Sequence, residues 1–198
     1  MVVLIFAALA SGCATTSGVQ LAGTAIGIVL EATGVLKKDG DPAKRVRDLS
    51  VRIFGGEELN TTSSGVPMSL VAKIYVLRSP ERLRTLTYPQ MTSQEGEKEA
   101  FGEDLIMVRE VTIIPGKSYE LPFKIPGDAT TIGIVGMYRA PYSYRWKLAF
   151  DAGNSYSTGI VVGAHACALT ASKGALRSDI SPDTVQSLVG VQCNTQKS

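Results

Sequence analysis

From Lys44 onward, apolar and polar residues alternate with a period of two. In RVRDLSVRIF, Leu49, Val51 and Ile53 alternate with Ser50 and Arg52, the pattern of a half-buried strand. MSLVAKIYVLR puts Leu70, Ala72, Ile74 and Val76 on one face. Lys73 falls on the other beside Val71 and Tyr75, which predicts that this face is partly covered. LIMVREVTIIPGKSYELPFKI reads as a hairpin around Pro115-Gly116. Its second arm sets Tyr119, Leu121, Phe123 and Ile125 against Glu120, Pro122 and Lys124, and Pro122 limits that arm to an edge or a bulge. TTIGIVGMYRAP reads as a strand whose glycines admit a neighbouring layer. YRWKLAF places Trp146, Leu148 and Phe150 on one face and Arg145 and Lys147 on the other. SYSTGIVVGAHACALTAS reads as one further strand. Seven or eight short strands at this spacing predict a mainly β fold, a two-sheet β-sandwich.

The period breaks in three places. Between 79 and 104, SPERLRTL offers Ser79 as N-cap, Pro80 at the first helical position and Glu81 in the first turn. TSQEGEKEAFGED predicts a second short helix capped by Thr92 or Ser93. Near the C-terminus, Ser181, Pro182 and Asp183 open a short helix by the same logic. In VQLAGTAIGIVLEATGVLKKDGDP, Ala22, Ala25, Ile26, Val29 and Leu30 form a helical stripe that ends at Gly34. That helix either packs on the domain or lies at a lipid surface. The expected organisation is one folded domain over 44–198, with a helical insertion near 79–104.

The first twelve residues, MVVLIFAALASG, are apolar or small. They are too few to span a bilayer and match the core of a signal peptide over 1–12. Such a peptide begins with Lys or Arg, and none occurs before Lys37, so the expected start lies upstream of Met1. The alternative is a buried N-terminal strand. Leu9-Ala10-Ser11-Gly12-Cys13 resembles the bacterial lipobox, although Ala10 stands where Leu is usual. That resemblance implies acylation of Cys13 and cleavage just before it, followed by a lipidated tether and helix over 13–43. Each buried CH₂ of an acyl chain contributes about 0.8 kcal/mol, and several chains anchor far more firmly than one. Ala14 is not Asp, which by resemblance to lipoprotein sorting favours the outer membrane.

Composition narrows the function classes. The 198 residues carry a net charge of +2, with Lys and Arg scattered, so no nucleic-acid partner is expected. The single histidine, His165, stands two residues from Cys167 on the expected strand, where the two would share a face. No third group completes a nucleophilic pair, no metal-ligand spacing surrounds it, and the glycine-rich GIVVGAHA lacks the Lys of a phosphate loop. Neither an enzyme nor a cofactor is expected. With Cys13 assigned to lipid, Cys167 and Cys193 remain, and in an oxidising compartment two such thiols usually pair. The bridge would close about 25 residues and contribute roughly 3 kcal/mol. Two free buried thiols are the alternative. The polar loop from Gly55 to Pro67 presents Glu57, Glu58, Leu59, Asn60, Thr61, Thr62, Ser63 and Ser64. It is either a solvated connection or a binding loop on a rigid scaffold.

The chain resembles one known family. Leu59-Asn60, then Gly65 and Pro67, then Lys73-Ile74-Tyr75 and Leu77 are similar to the second-strand region of the type VI secretion lipoprotein family (TssJ, also called SciN). VTIIPGKSYELPFKI and IGIVGMYRAPYSYRWKL resemble its later strands in the same order, except that Gly136 stands where Ala is common. The cysteine pair is not a general mark of that family. The resemblance implies a transthyretin-like sandwich with added helices, carried by an outer-membrane lipoprotein facing the periplasm. It implies that the first inter-strand loop, Gly55 to Val66 here, contacts the periplasmic C-terminal part of the inner-membrane subunit TssM, within a complex that also holds TssL. Glu57, Leu59, Asn60 and Thr61 are the foremost expected contacts among residues 57–64, and the alternative for Asn60 is that its side chain shapes the turn. The competing expectation is a lipid-anchored module of another envelope complex. Replacing Cys13 with Ser should abolish acyl labelling and release the protein into the periplasm. Labelling that persists in this variant would end the lipoprotein assignment.

Overall fold

Alternation in β1 (Val46–Gly55) resolves as expected, with Leu49, Val51, Ile53 and Gly55 buried and Arg52 and Phe54 exposed. The computed structural model describes residues 45–193, which belong to the compact unit Asp41–Ser198. The signal segment 1–12, Cys13 and the helix expected over 19–36 lie outside the described residues. After β1 come β2 (Leu70–Leu77), α1 (Glu81–Thr85), a 3₁₀ turn (Pro89–Thr92), α2 (Gln94–Phe101) and a second 3₁₀ turn (Gly102–Asp104). Then follow β3 (Leu105–Ile113), β4 (Ser118–Pro126), β5 (Thr131–Gly136), β6 (Lys147–Asp151), α3 (Ala152–Ser155), β7 (Ile160–Ala164), β8 (Leu169–Lys173) and α4 (Pro182–Val185). The strands make two four-stranded sheets, ordered β4-β1-β7-β8 and β3-β2-β5-β6. β1 and β7 run parallel, and the other neighbours are antiparallel. Pro122 pairs with Ser50 on β4, an edge strand, where a missing N–H is tolerated.

Three expectations are corrected. Pro115-Gly116 does not close a hairpin, because β3 joins one sheet and β4 the other. Gly116, at φ +69°, donates its N–H to the Gly55 carbonyl at 2.9 Å, and Gly55 donates to the Lys117 carbonyl at 2.9 Å. The turn is therefore tied to the end of β1, and its two arms bury their apolar faces from opposite sides of the core. Periodicity shows which face is apolar, not which sheet receives it. The stretch read as one strand around GIVVGAHACAL is two, β7 and β8, joined by a tight turn in which His165 donates to the Ala168 carbonyl at 3.0 Å. His165 and Cys167 thus sit in a turn and share no strand face. Ser79 does not cap α1. Its hydroxyl donates to Asp104 at 3.1 Å, while Pro80 occupies the cap position. Ser93 does cap α2, accepting from the Gly96 N–H at 3.0 Å.

Both faces of β2 are buried, for different reasons. Leu70, Ala72, Ile74 and Val76 face the other sheet. The opposite face lies under the 79–104 insertion. There the Tyr75 ring meets Phe101 at 4.5 Å and its hydroxyl donates to Glu97 at 2.7 Å, while Lys73 is held by Glu97 and by Glu110 at 3.1 Å. On β5, Gly133 leaves room for this layer, since a Cβ there would lie 2.8 Å from a Leu83 methyl. Beyond β8, residues 175–178 run along β6. Asp151 donates to the Ala175 carbonyl and Arg177 to the Ala149 carbonyl, both at 2.7 Å.

This layering makes a pH-dependent prediction. Burial pushes the Tyr75 phenol up, and the Glu97 carboxylate beside it pushes the same way. For Lys73 burial acts downward, but Glu97 and Glu110 outweigh it and hold the ammonium above its ordinary value. In the unfolded chain both side-chain types titrate near about pH 10. The folded state therefore keeps protons that the unfolded chain releases above that pH. Stability is full below it and falls as pH rises further. Tyr75→Phe should make the fall in urea midpoint above about pH 10 shallower than in the parent. An equally steep alkaline limb would disprove the coupling.

Candidate functional site

Residues 56–69, between β1 and β2, form a braced loop rather than a floppy one. Leu59 is fully buried and plugs the base of the loop. Asn60 is 5% exposed and adopts φ +47°, a left-handed conformation that asparagine tolerates better than most residues. Its Nδ2 donates to the Ser69 carbonyl at 2.9 Å, and its Oδ1 accepts the Arg139 N–H at 2.9 Å. One side chain therefore joins the two arms of the loop to the β5–β6 connection. Further out, Thr62 donates to the Val66 carbonyl at 2.9 Å, and its hydroxyl accepts the Val66 N–H at 3.0 Å. Met68 donates back to the Leu59 carbonyl at 2.9 Å.

The β7–β8 turn supports the loop from the side. Gly56 donates to the Ala164 carbonyl at 2.8 Å and Asn60 to the His165 carbonyl at 3.1 Å. The His165 ring meets the Thr170 hydroxyl at 2.9 Å. Burial, and secondarily the Arg145 charge, lowers its pKa, which keeps the ring neutral at pH 7. The same turn is stapled to the C-terminal segment by the Cys167–Cys193 disulfide, with Cα atoms 5.5 Å apart. Cys167 is therefore half of a structural sulfur bridge and not a thiol nucleophile.

The residues expected to bind divide into two groups. Glu57, Glu58, Ser63 and Ser64 are exposed, and Thr61 and Thr62 are half-buried. Leu59 and Asn60 point inward and build the loop. Val66 and Met68, which flank Pro67, were absent from the expected set. They are 55% and 43% exposed and give the returning arm an apolar surface. Their signal in the sequence was apolar residues inside an otherwise polar loop. A second omission is a pair of cations. Arg145 is 3% exposed and donates to the carbonyls of Leu169 (3.1 Å), Thr184 (3.3 Å), Val185 (3.5 Å) and Ser187 (2.8 Å). Burial lowers its pKa. Lys147 donates to the carbonyls of Leu83, Arg84 and Leu86 at 2.7–2.8 Å, closing the C-terminal end of α1. Burial lowers its pKa to about 8, against the opposing charge of Asp179.

The type VI secretion lipoprotein family, which groups VasD, EvfM and TssJ, matches residues 47–167. A chain of a solved type VI membrane complex is 22% identical, with a TM-score of 0.59, over 65% of this chain and 99% of that one. The T6SS lipoprotein TssJ1 from Pseudomonas aeruginosa is 17% identical, with a TM-score of 0.58, over 65% and 97%. A chain in the structure described as the T6SS protein TssM C-terminal domain from EAEC is 22% identical, with a TM-score of 0.55, over 64% and 98%. These similarities establish a shared fold. No curated protein matches the sequence.

Asn60 makes the loop testable as a structure. Asn60→Ala removes the side-chain hydrogen bonds to the Ser69 carbonyl and the Arg139 N–H and puts alanine, which tolerates the left-handed conformation less well than asparagine, at that position. It should destabilise the protein by about 2–4 kcal/mol. Asn60→Gly relieves the backbone and should lose less. Chemical denaturation measures both, and equal losses would mean that the left-handed backbone contributes nothing.

Proposed function

This chain belongs to the type VI secretion lipoprotein family, and on that basis we propose that it anchors the secretion machine's membrane complex at the outer membrane. Acyl chains on Cys13 hold the domain on the periplasmic face. The loop of residues 56–69 recruits the periplasmic C-terminal region of the inner-membrane subunit TssM, in a complex that includes TssL. Tethering on a membrane raises the local concentration of the loop, and several copies would add avidity. The protein acts as a scaffold without turnover.

One observation carries this reading. The chain enters the sandwich at Val46, and the loop leaves β1 at the opposite end, after Gly55. Ten residues at strand rise separate the two by roughly 30 Å. The loop therefore lies at the end of β1 remote from the point where the chain enters the sandwich. The similarity to a chain in the TssM C-terminal domain structure supports this choice of partner. Within the loop, Val66 and Met68 are the proposed anchors, because they expose apolar surface on a backbone that is already ordered. Glu57, Glu58, Ser63 and Ser64 form the polar rim around them.

Val66→Asp combined with Met68→Asp should weaken binding to the isolated TssM C-terminal domain by about tenfold or more. The melting temperature should stay at the parent value, since both side chains are solvent-facing. Full-strength binding by a folded double variant would remove the loop assignment.

A further inference from the structure

Tyr144 is costly where it stands. It adopts φ +64°, and its side chain is 78% exposed. A bulky residue in that conformation loses of order 1–3 kcal/mol, and such strain gathers at ligand clamps. Burial returns nothing for it here. A glycine or asparagine would make the same turn without strain.

The ring borders a cavity of about 350 Å³, within the size range of small-molecule sites. Trp146 and Ile180 line it with apolar side chains, and the Tyr88 ring stands edge-on to Trp146 at 5.0 Å. Thr87, Ser143 and Ser178 add hydroxyl-bearing side chains. Arg84 and Asp179 form a loose, exposed pair of opposite charge at 3.7 Å, and both line the cavity.

Charge selects the ligand class. Lys147 spends its three protons on three carbonyls, so it has none left for an anion. Its charge, with that of Arg84, repels a cation, and Asp179 opposes a carboxylate. A wholly apolar ligand would desolvate the charged pair and the hydroxyls without replacing their hydrogen bonds. A neutral ring with one apolar face and a polar edge meets each of these groups.

We propose that this cavity binds a neutral saccharide of one or two pyranose rings, stacked on Tyr144 and hydrogen-bonded at its edge by Asp179 and Arg84. The site is independent of the partner loop, since Val66 and Met68 do not line it.

Trp146 is the single tryptophan of the chain and lines the cavity, so its fluorescence reports occupancy. The full-length protein is titrated with chitobiose, cellobiose, glucuronic acid and a polyproline peptide. Saturable quenching or a spectral shift is expected with chitobiose or cellobiose, and the response to the two separates an acetamido-sugar from a plain hexose preference. Tyr144→Asn keeps the turn and removes the ring, and Asp179→Asn removes the exposed carboxylate. Each should weaken binding by about tenfold, with the melting temperature unchanged in Asp179→Asn and raised in Tyr144→Asn, where the backbone strain is relieved. No saturable response to either neutral disaccharide, saturation by glucuronic acid or polyproline alone, or undiminished binding in Tyr144→Asn would overturn the proposal.

Discussion

Arg145 is a buried cation that, among the described residues, no carboxylate meets. Backbone carbonyls meet it instead, from β8 and from the C-terminal end of α4 and the residues after it. The Thr184 and Val185 carbonyls stand at the C-terminal end of a helix, where a positive charge is favoured. The arrangement satisfies a costly buried group and, in the same act, fixes three separate pieces of chain. Lys147 repeats the device at the end of α1. Both cations belong to the segment leading into and starting β6, so the helical additions on either side of that strand are fastened from one short stretch of sequence.

That fastening reaches the partner loop through covalent and hydrogen-bonded steps. The C-terminal segment held by Arg145 leads on to Cys193, the disulfide joins it to Cys167, and the turn around Cys167 holds Gly56 and Asn60. A loop braced in this way spends little conformational entropy when it docks. Disulfide, turn and asparagine therefore order the loop proposed to bind, without belonging to its exposed surface.

Much of this was legible in the sequence because alternation survives wherever one face meets water. β1 and the second arm of the Pro-Gly turn read correctly residue by residue, and the caps at Ser93 and Ser181 were visible as side-chain chemistry. The Cys167–Cys193 pairing followed from compartment and count. The misreadings share one cause, which is that local pattern does not encode the partner. β3 and β4 look like a hairpin because each is amphipathic, yet they serve different sheets. Arg145 and Lys147 fall on the face opposite the apolar one, and the segments that cover them arrive from residues more than 30 positions away. Leu59 reads as loop surface because polarity marks a loop without saying which of its residues turn inward.

The parallel pairing of β1 with β7 has a consequence for the order of folding. The first described strand is central in its sheet, and one of its two neighbours begins only at Ile160. The sheet cannot close until most of the chain exists, and such high contact order slows folding. An emerging N-terminal portion holds β1 and β4 but lacks the strands and the C-terminal cysteine that lock them in place. The topology thus delays completion of this sheet until residues beyond Ile160 have been made, so the closing pair forms late and over a long stretch of intervening chain.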